Sequence, residues 1–301
     1  MRIGMFGGDT ANRTIDDVVA DARRAESEGF ASYWLPQIFG MDAISTLALV
    51  GREVPRVELG TAVVPTYPRH PMMLAQQSLT TQAACGGRFV LGIGLSHQIV
   101  IENMFGYSFD KPARHMREYL AILAPLIREP REVQFDGDTL HAHGSVNVAD
   151  APPCPILLAA LAPRMLELAG AVADGTITWM TGPATLAEYT IPAINAAADA
   201  AGRAAPRVCA SLPVCVTDDV DGARKRAADE FVMYGYLPSY RAMLDREGAA
   251  GPADVAIVGD ASVVRDAVEH LAGIGVTDFA PALFGARSDR NATRELLASM
   301  V

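Results

Sequence analysis

Two histidines stand where proton chemistry could be done. His70 ends the run VVPTYPRH and His97 ends LGIGLSH, each an apolar, strand-like segment leading into the imidazole. An imidazole titrates near neutral pH, so either could give or take a proton, or only hydrogen-bond a ligand. The second run carries Gly92-x-Gly94, but His97 occupies the place where a dinucleotide fingerprint needs its third glycine. Two glycines at a strand end leave room for a flat ring against the backbone, or make a tight turn and nothing more. Ser96 directly precedes His97, so the two side chains need not face each other. Neither a G-x-S-x-G elbow nor a Walker phosphate loop occurs, which argues against a serine hydrolase and a P-loop enzyme.

Anion chemistry is suggested by PILLAALAPRMLELAG (Pro155–Gly170). Small residues Ala159, Ala160 and Ala162 precede Pro163, a favoured first helical residue. The amides of Ala162, Arg164 and Met165 would then be free at a helix N-terminus, and Arg164 adds positive charge. An ordinary compact loop fits the same residues. His141-x-His143 could ligate a metal, but it lies in a hairpin-like stretch with no third ligand evident nearby, so no metal is expected. His115 and His270 fall within helical patterns and read as packing or surface residues.

Short apolar runs alternate with amphipathic helical stretches along the whole chain. Strands are expected near Arg2–Phe6, Ser32–Pro36, Val57–Val64, Phe89–Ile93, Pro155–Leu158, Thr176–Met180, Arg207–Val216 and Asp278–Leu283. Helix starts are marked by Thr14 with Asp17, by Pro71, Pro112 and Pro163, and by Asp260 or Ser262. VQFDGDTLHAH within Val133–Val148 reads as a hairpin turning at Asp136-Gly137, and Ala173–Gly175 as the C-terminal turn of a helix. Eight strands, each followed by helix, with no Pro-, Gly- or Ser-rich linker, predict one α/β domain spanning 1–301, a (β/α)8 barrel with a hairpin insertion near 133–148. A doubly wound open sheet is the competing fold.

In such a barrel the reactive groups follow the strands. The candidates are then Gly7, Gly8 and Asp9; Gln37; Thr66, Tyr67, Arg69 and His70; Ser96, His97 and Gln98; Leu161 to Arg164; Thr181; and Arg287. A net charge of −10 argues against nucleic acid or an anionic membrane as the main partner, although a local basic pocket remains possible in an acidic chain. The four cysteines show no C-x-x-C spacing and read as reduced, buried thiols. MRIGMFGGD is too short an apolar run for a signal peptide, and no stretch is long enough for a membrane span, so a cytoplasmic protein is expected.

Three blocks together resemble a known superfamily. Val57–Ser96 (VELGTAVVPTYPRHPMMLAQQSLTTQAACGGRFVLGIGLS) is similar to the third and fourth strands of bacterial-luciferase-like proteins. Pro155–Gly170 with ADGTITWMTGP (Ala173–Pro183) resembles their strand-five and strand-six segment, and Val258–Ala282 their closing helix and strand. Within the superfamily the chain looks most like the F420-dependent oxidoreductases, the group of methylene-tetrahydromethanopterin reductase and F420-dependent glucose-6-phosphate dehydrogenase.

The resemblance implies a deazaflavin cofactor, F420, with FMN as the alternative, and a small-molecule substrate. It implies a non-proline cis peptide at Ala62–Val63 backing the ring, with Phe6, Gly7 and Thr61 beside it. Gly94, Leu95, Ser96 and His97 would line the ring; Ala160, Leu161, Ala162, Pro163, Arg164 and Met165 would hold its phosphate, with Thr181 nearby. The family's habit of dimerising makes a homodimer the expectation. Two departures count against sugar-phosphate activity. Pro36-Gln37 stands where the glucose-6-phosphate dehydrogenases have a catalytic Asp-His pair, and His97 where they have a glutamate. The expected roles are His97 and Gln37 in catalysis and Tyr67 and Arg287 in positioning the substrate. An FMN-dependent monooxygenase and a non-catalytic flavin-binding protein are the rival readings, with a metal-dependent barrel hydrolase third.

Overall fold

In the computed structural model, which describes residues 1–301, the eight apolar runs lie side by side as parallel strands in sequence order and close on themselves. Closure is made by the first strand, whose halves pair on opposite sides. Arg2–Ile3 pairs with Asp278–Phe279 of the eighth, and Met5–Phe6 pairs with Ser32–Leu35 of the second. Between them run Glu58–Thr61, Phe89–Gly94, Ile156–Leu158, Gly175–Trp179 and Arg207–Ser211. This is the α/β barrel expected from the sequence.

Strand sides alternate, so each strand contributes to two cores. Trp34, Val90, Leu157, Ile177, Cys209 and Ala280 fill the barrel interior, with Phe6, Ala62 and Val63 packed at its edge. The opposite faces meet the helices in a far larger apolar layer that includes Tyr33, Leu35, Leu91 and Leu158. All four cysteines are free and buried. No helix is long and apolar enough to cross a membrane.

Helix starts follow the capping rules. Thr14 Oγ1 accepts from the Asp17 amide at 3.1 Å while Asp17 accepts from the Thr14 amide at 2.8 Å, opening Ile15–Ser27. Pro71, Pro112 and Pro163 each begin a helix, and Asp260 caps Ala261–Gly273 through the Ser262 and Val263 amides.

At the N-terminal end of the barrel, charges from four strands form one network. Arg207 reaches Glu58 at 2.8 Å and Asp278 at 2.8 Å, and Arg2 reaches Glu58 at 2.6 Å. The Asp278 side chain is only 3% exposed, so its charge depends on these partners.

Several details depart from the sequence expectation. The hairpin Glu132–Asp136 with His141–Ser145 turns at Asp138-Thr139 rather than Asp136-Gly137, because Gly137 still pairs with Leu140 across it. Glu118 on helix Pro112–Ile127 fixes that turn, accepting from the Asp138, Thr139 and Leu140 amides and from the Thr139 hydroxyl. Gly175 does not end a helix; it opens the sixth strand, where a Cβ would lie 2.1 Å from the Arg207 carbonyl oxygen. The seventh and eighth runs are each broken, at Leu212 and at Ala280–Pro281. Their outer pieces, Pro213–Val216 and Ala282–Leu283, join Ile257–Gly259 in a second parallel sheet. The strand Ile257–Gly259 was not expected, and the helical stretch Asp218–Glu247 is three shorter pieces.

Candidate functional site

The third strand stops at Thr61 and resumes at Val64–Pro65, and both pieces pair with the fourth. Between the pairs Gly60↔Val90 and Val64↔Ile93 the third strand carries one residue more than the fourth, which is a bulge. The Ala62–Val63 bond inside it is cis. Gly92 and Gly94 make this arrangement fit. A Cβ on Gly92 would fall 1.9 Å from the Thr61 carbonyl oxygen, and one on Gly94 would fall 2.7 Å from Val63 and 3.2 Å from the Ala159 Cβ. Val63, Gly94 and Ala159 thus form a low wall at the C-terminal end of strands three to five. Thr61 itself is buried and pins the two strands, donating to the Gly92 carbonyl and accepting from the Gly92 amide.

Past Gly94 the chain turns through Ser96, which has φ +62°, into half-buried His97. His97 caps the short helix Gln98–Asn103 by position only and makes no side-chain hydrogen bond. Its ring lies 5.6 Å from that of Tyr240, and burial holds its imidazole below the ordinary histidine range. It is therefore neutral at pH 7, with both ring nitrogens unengaged by the protein.

A line of aromatic rings runs from the first and sixth strands toward His97. Phe6 stacks on Trp179 at 5.9 Å and 12°, and Trp179 meets Phe231 and Tyr234 edge-on. Tyr234 packs perpendicular to Tyr240, which completes the line to His97. Trp179 Nε1 is buried beside the Tyr234 phenol: burial raises that phenol's titration and the neighbouring indole N–H partly offsets it, although the pair falls short of full hydrogen-bond geometry. Trp179, Phe231, Tyr234 and Tyr240 were absent from the sequence-derived candidates. The available signal was the four aromatics Phe231, Tyr234, Tyr236 and Tyr240 within ten residues of an aromatic-poor chain.

At the fifth strand, Ala160 is buried, Leu161 half-buried, and Ala162, Pro163 and Arg164 exposed. Pro163 begins the helix Pro163–Ala171, whose N-cap Ala162 offers no side-chain cap. One expectation is corrected here. The Met165 amide is not free: it and the Leu166 amide both donate to the Ala162 carbonyl, at 2.9 and 3.0 Å, because the first turn is tight. The amides of Leu161, Ala162 and Arg164 have no acceptor in the protein. Arg164 forms no ion pair, which leaves an anion-receptive corner beside the wall.

Other expected residues are differently employed. Gln37 accepts from the Ala43 amide at 2.8 Å and donates toward the Ile38 carbonyl at 3.4 Å, so its amide secures the loop before helix Ala43–Glu53 rather than facing a reactant. Arg69 pairs with Asp42 and bonds Gln77. Exposed His70 caps helix Pro71–Ala84 and reaches the His141 carbonyl at 3.3 Å. His143 pairs with Asp136 at 2.9 Å. Asp9 accepts from the Ala11 amide, and the Gly7 amide donates to the Trp34 carbonyl. Thr181 is wholly buried, and its hydroxyl lies 3.4 Å from the Trp179 carbonyl. Arg287 is exposed at the first turn of the last helix, with no partner.

Tyr67 is held rather than free. It stacks on His115 at 3.9 Å and on Phe109 at 5.3 Å, and its buried hydroxyl has no partner. Burial, with Asp110 and Glu102 nearby, pushes the phenol up to about 12. His115 is a packing residue, bonded to Thr66 at 3.0 Å and driven by burial down to about 4.

The luciferase-like monooxygenase family model matches residues 2–278. A 5,10-methylenetetrahydromethanopterin reductase of Methanolobus tindarius is 29% identical over 258 residues, 85% of this chain and 78% of that protein. Among solved structures, an F420-dependent secondary alcohol dehydrogenase in complex with an F420-acetone adduct has a TM-score of 0.83 at 20% identity, covering 100% of this chain and 98% of that one. A type II Baeyer-Villiger monooxygenase from Pseudomonas putida in complex with FMN has a TM-score of 0.75 at 18% identity, covering 99% and 96%. A barrel closed in sequence order, a glycine-lined bulge at its mouth and a match that runs through all but the last strand and helix lead to one assignment: the chain belongs to the luciferase-like monooxygenase family.

Proposed function

We propose that the protein is an F420-dependent oxidoreductase that moves hydride between the deazaflavin and a small organic substrate with an activated C=C, C=N or C=O bond. The observation that carries this reading is the low wall of Val63, Gly94 and Ala159, set next to the unengaged amides of Leu161, Ala162 and Arg164. A flat ring system with a phosphate on its side chain needs both features together. The reductase relative and the F420-binding structural neighbour support the choice of deazaflavin.

When bound, the deazaflavin supplies a carbon that accepts or gives hydride. The protein's part is positional and protonic. Val63 and Gly94 would set the ring plane, and the Arg164 corner would fix the phosphate. Phe6, Trp179, Phe231 and Tyr234 keep water from the mouth. His97, unpartnered and half-buried, is placed to exchange a proton with substrate at a ring nitrogen.

The test is anaerobic mixing of reduced F420 with the protein and a panel of enones, imines and ketones. Return of the oxidised deazaflavin's visible absorbance with any class is the expected result. Oxygen uptake with reduced FMN, and no turnover of F420, would instead assign the FMN-bound neighbour's kind of chemistry.

A further inference from the structure

One group of exposed large apolar side chains belongs to the barrel mouth. Ile38 and Phe39, just after the second strand, and Ile99, Met104, Phe105 and Tyr107, after the fourth, all face solvent. Phe39 is 61% exposed, Met104 60% and Ile99 59%. The two loops meet: the Phe39 and Phe105 rings lie 6.4 Å apart, tilted by 39°. Single exposed apolar residues are ordinary, whereas a contiguous group of them marks a surface that meets something apolar.

Continuity with the candidate site says what that is. Both loops leave the C-terminal ends of their strands, where a barrel's reactants bind. His97 stands at the N-cap of the short helix Gln98–Asn103, and Phe105 lies just past that helix's C-terminal end. Eight residues at helical rise put Phe105 about 12 Å from His97. Polar groups of the neighbouring loops are engaged within the protein, Gln37 by the Ala43 amide and Arg69 by Asp42 and Gln77. A charged substrate therefore finds no counter-charge in these residues. A second copy of the chain seated on the patch would crowd the entrance beside His97.

We infer that the substrate carries an apolar body, an alkyl chain or fused hydrocarbon rings, long enough to run from His97 to the Phe39–Phe105 pair. The inference rests on the proposed function only for the reacting end of that molecule. Its activated double bond meets His97 and the cofactor, while its apolar part leaves water against Phe39, Phe105 and Met104. The gain is that of removing apolar surface from water on both partners, with flexible Met104 able to follow the ligand's shape.

The test varies the apolar group on ketones, enones and imines from methyl to decyl, with reduced F420 and the full chain. In whichever class turns over, kcat/KM should rise about tenfold or more across the series, chiefly through KM. In Phe39→Ser/Phe105→Ser, whose fold is checked by its melting curve, the decyl-to-methyl ratio of kcat/KM should fall toward one. Phe39→Leu/Phe105→Leu, which stays apolar, should keep most of that ratio. A ratio near one in the natural protein, or a ratio that the serine variant leaves intact, overturns the inference. An intact ratio with a changed oligomeric state in the serine variant assigns the patch to a second copy instead. If no class turns over, the proposed function fails, and calorimetric titration with 2-decanone and with acetone decides the inference alone. Decanone binding that the serine variant weakens supports it; decanone binding no tighter than that of acetone, or untouched by the variant, overturns it.

Discussion

Replacing His97 with alanine is expected to slow substrate turnover about a hundredfold or more, the usual share of a positioned general acid or base. The ring has no hydrogen-bond partner and packs against Tyr240 alone among aromatic side chains, so its removal should leave the barrel intact and cofactor affinity within a few-fold. The pH dependence gives the sharper signature. Burial disfavours the imidazolium, so the histidine titrates below its ordinary 6.5. In the direction of substrate oxidation, neutral His97 takes a proton, and the rate falls as pH drops through that lowered value. In the direction of reduction, the protonated ring gives its proton, and the rate falls as pH rises through the same value. His97→Asn keeps a polar side chain that cannot titrate in this range, so it should flatten that limb in both directions. A limb that survives in His97→Asn would assign the proton transfer to another group.

Arg207→Met is expected to act on stability without touching the chemistry. It removes the cation that links Glu58 of the third strand to Asp278 of the eighth across the N-terminal end of the barrel. Breaking one side of a buried pair costs about 3 kcal/mol because the remaining charge is left uncompensated. Arg2 still reaches both carboxylates, so the loss should lie at the low end of that range. A change of this size lowers Tm by roughly 5–10 °C in a domain this large. Turnover well below the transition should be unchanged, since the site lies at the opposite end of the strands. Adding Asp278→Asn should restore part of the loss by removing the orphaned charge. An unchanged Tm in Arg207→Met would show that the network is not structural.

The sequence made the barrel legible because its signals are local. Apolar runs of strand length, Thr14 with Asp17, Asp260, and prolines at first helical positions each state a boundary within a few residues. His97 and the Arg164 corner could be placed at the mouth for the same reason, since each directly follows a strand. The misreadings concern partners distant in sequence or geometry finer than a pattern. Nothing near Gln37 announces that the Ala43 amide will take its side chain. The free or engaged state of the Met165 amide depends on how tightly one turn closes. Ile257–Gly259 is a strand only because Pro213–Val216 lies beside it. Trp179 becomes part of a site wall only when Phe6 and Tyr234 reach it from remote segments.

The most direct measurement is a fluorescence titration of the purified protein with F420 and, separately, with FMN in the same buffer. Saturable F420 binding is expected, clearly tighter than FMN and weakened by Gly94→Val, whose Cβ would stand 2.7 Å from Val63 and so displace the low wall. Preferential FMN binding, or no binding of either, would contradict the deazaflavin assignment.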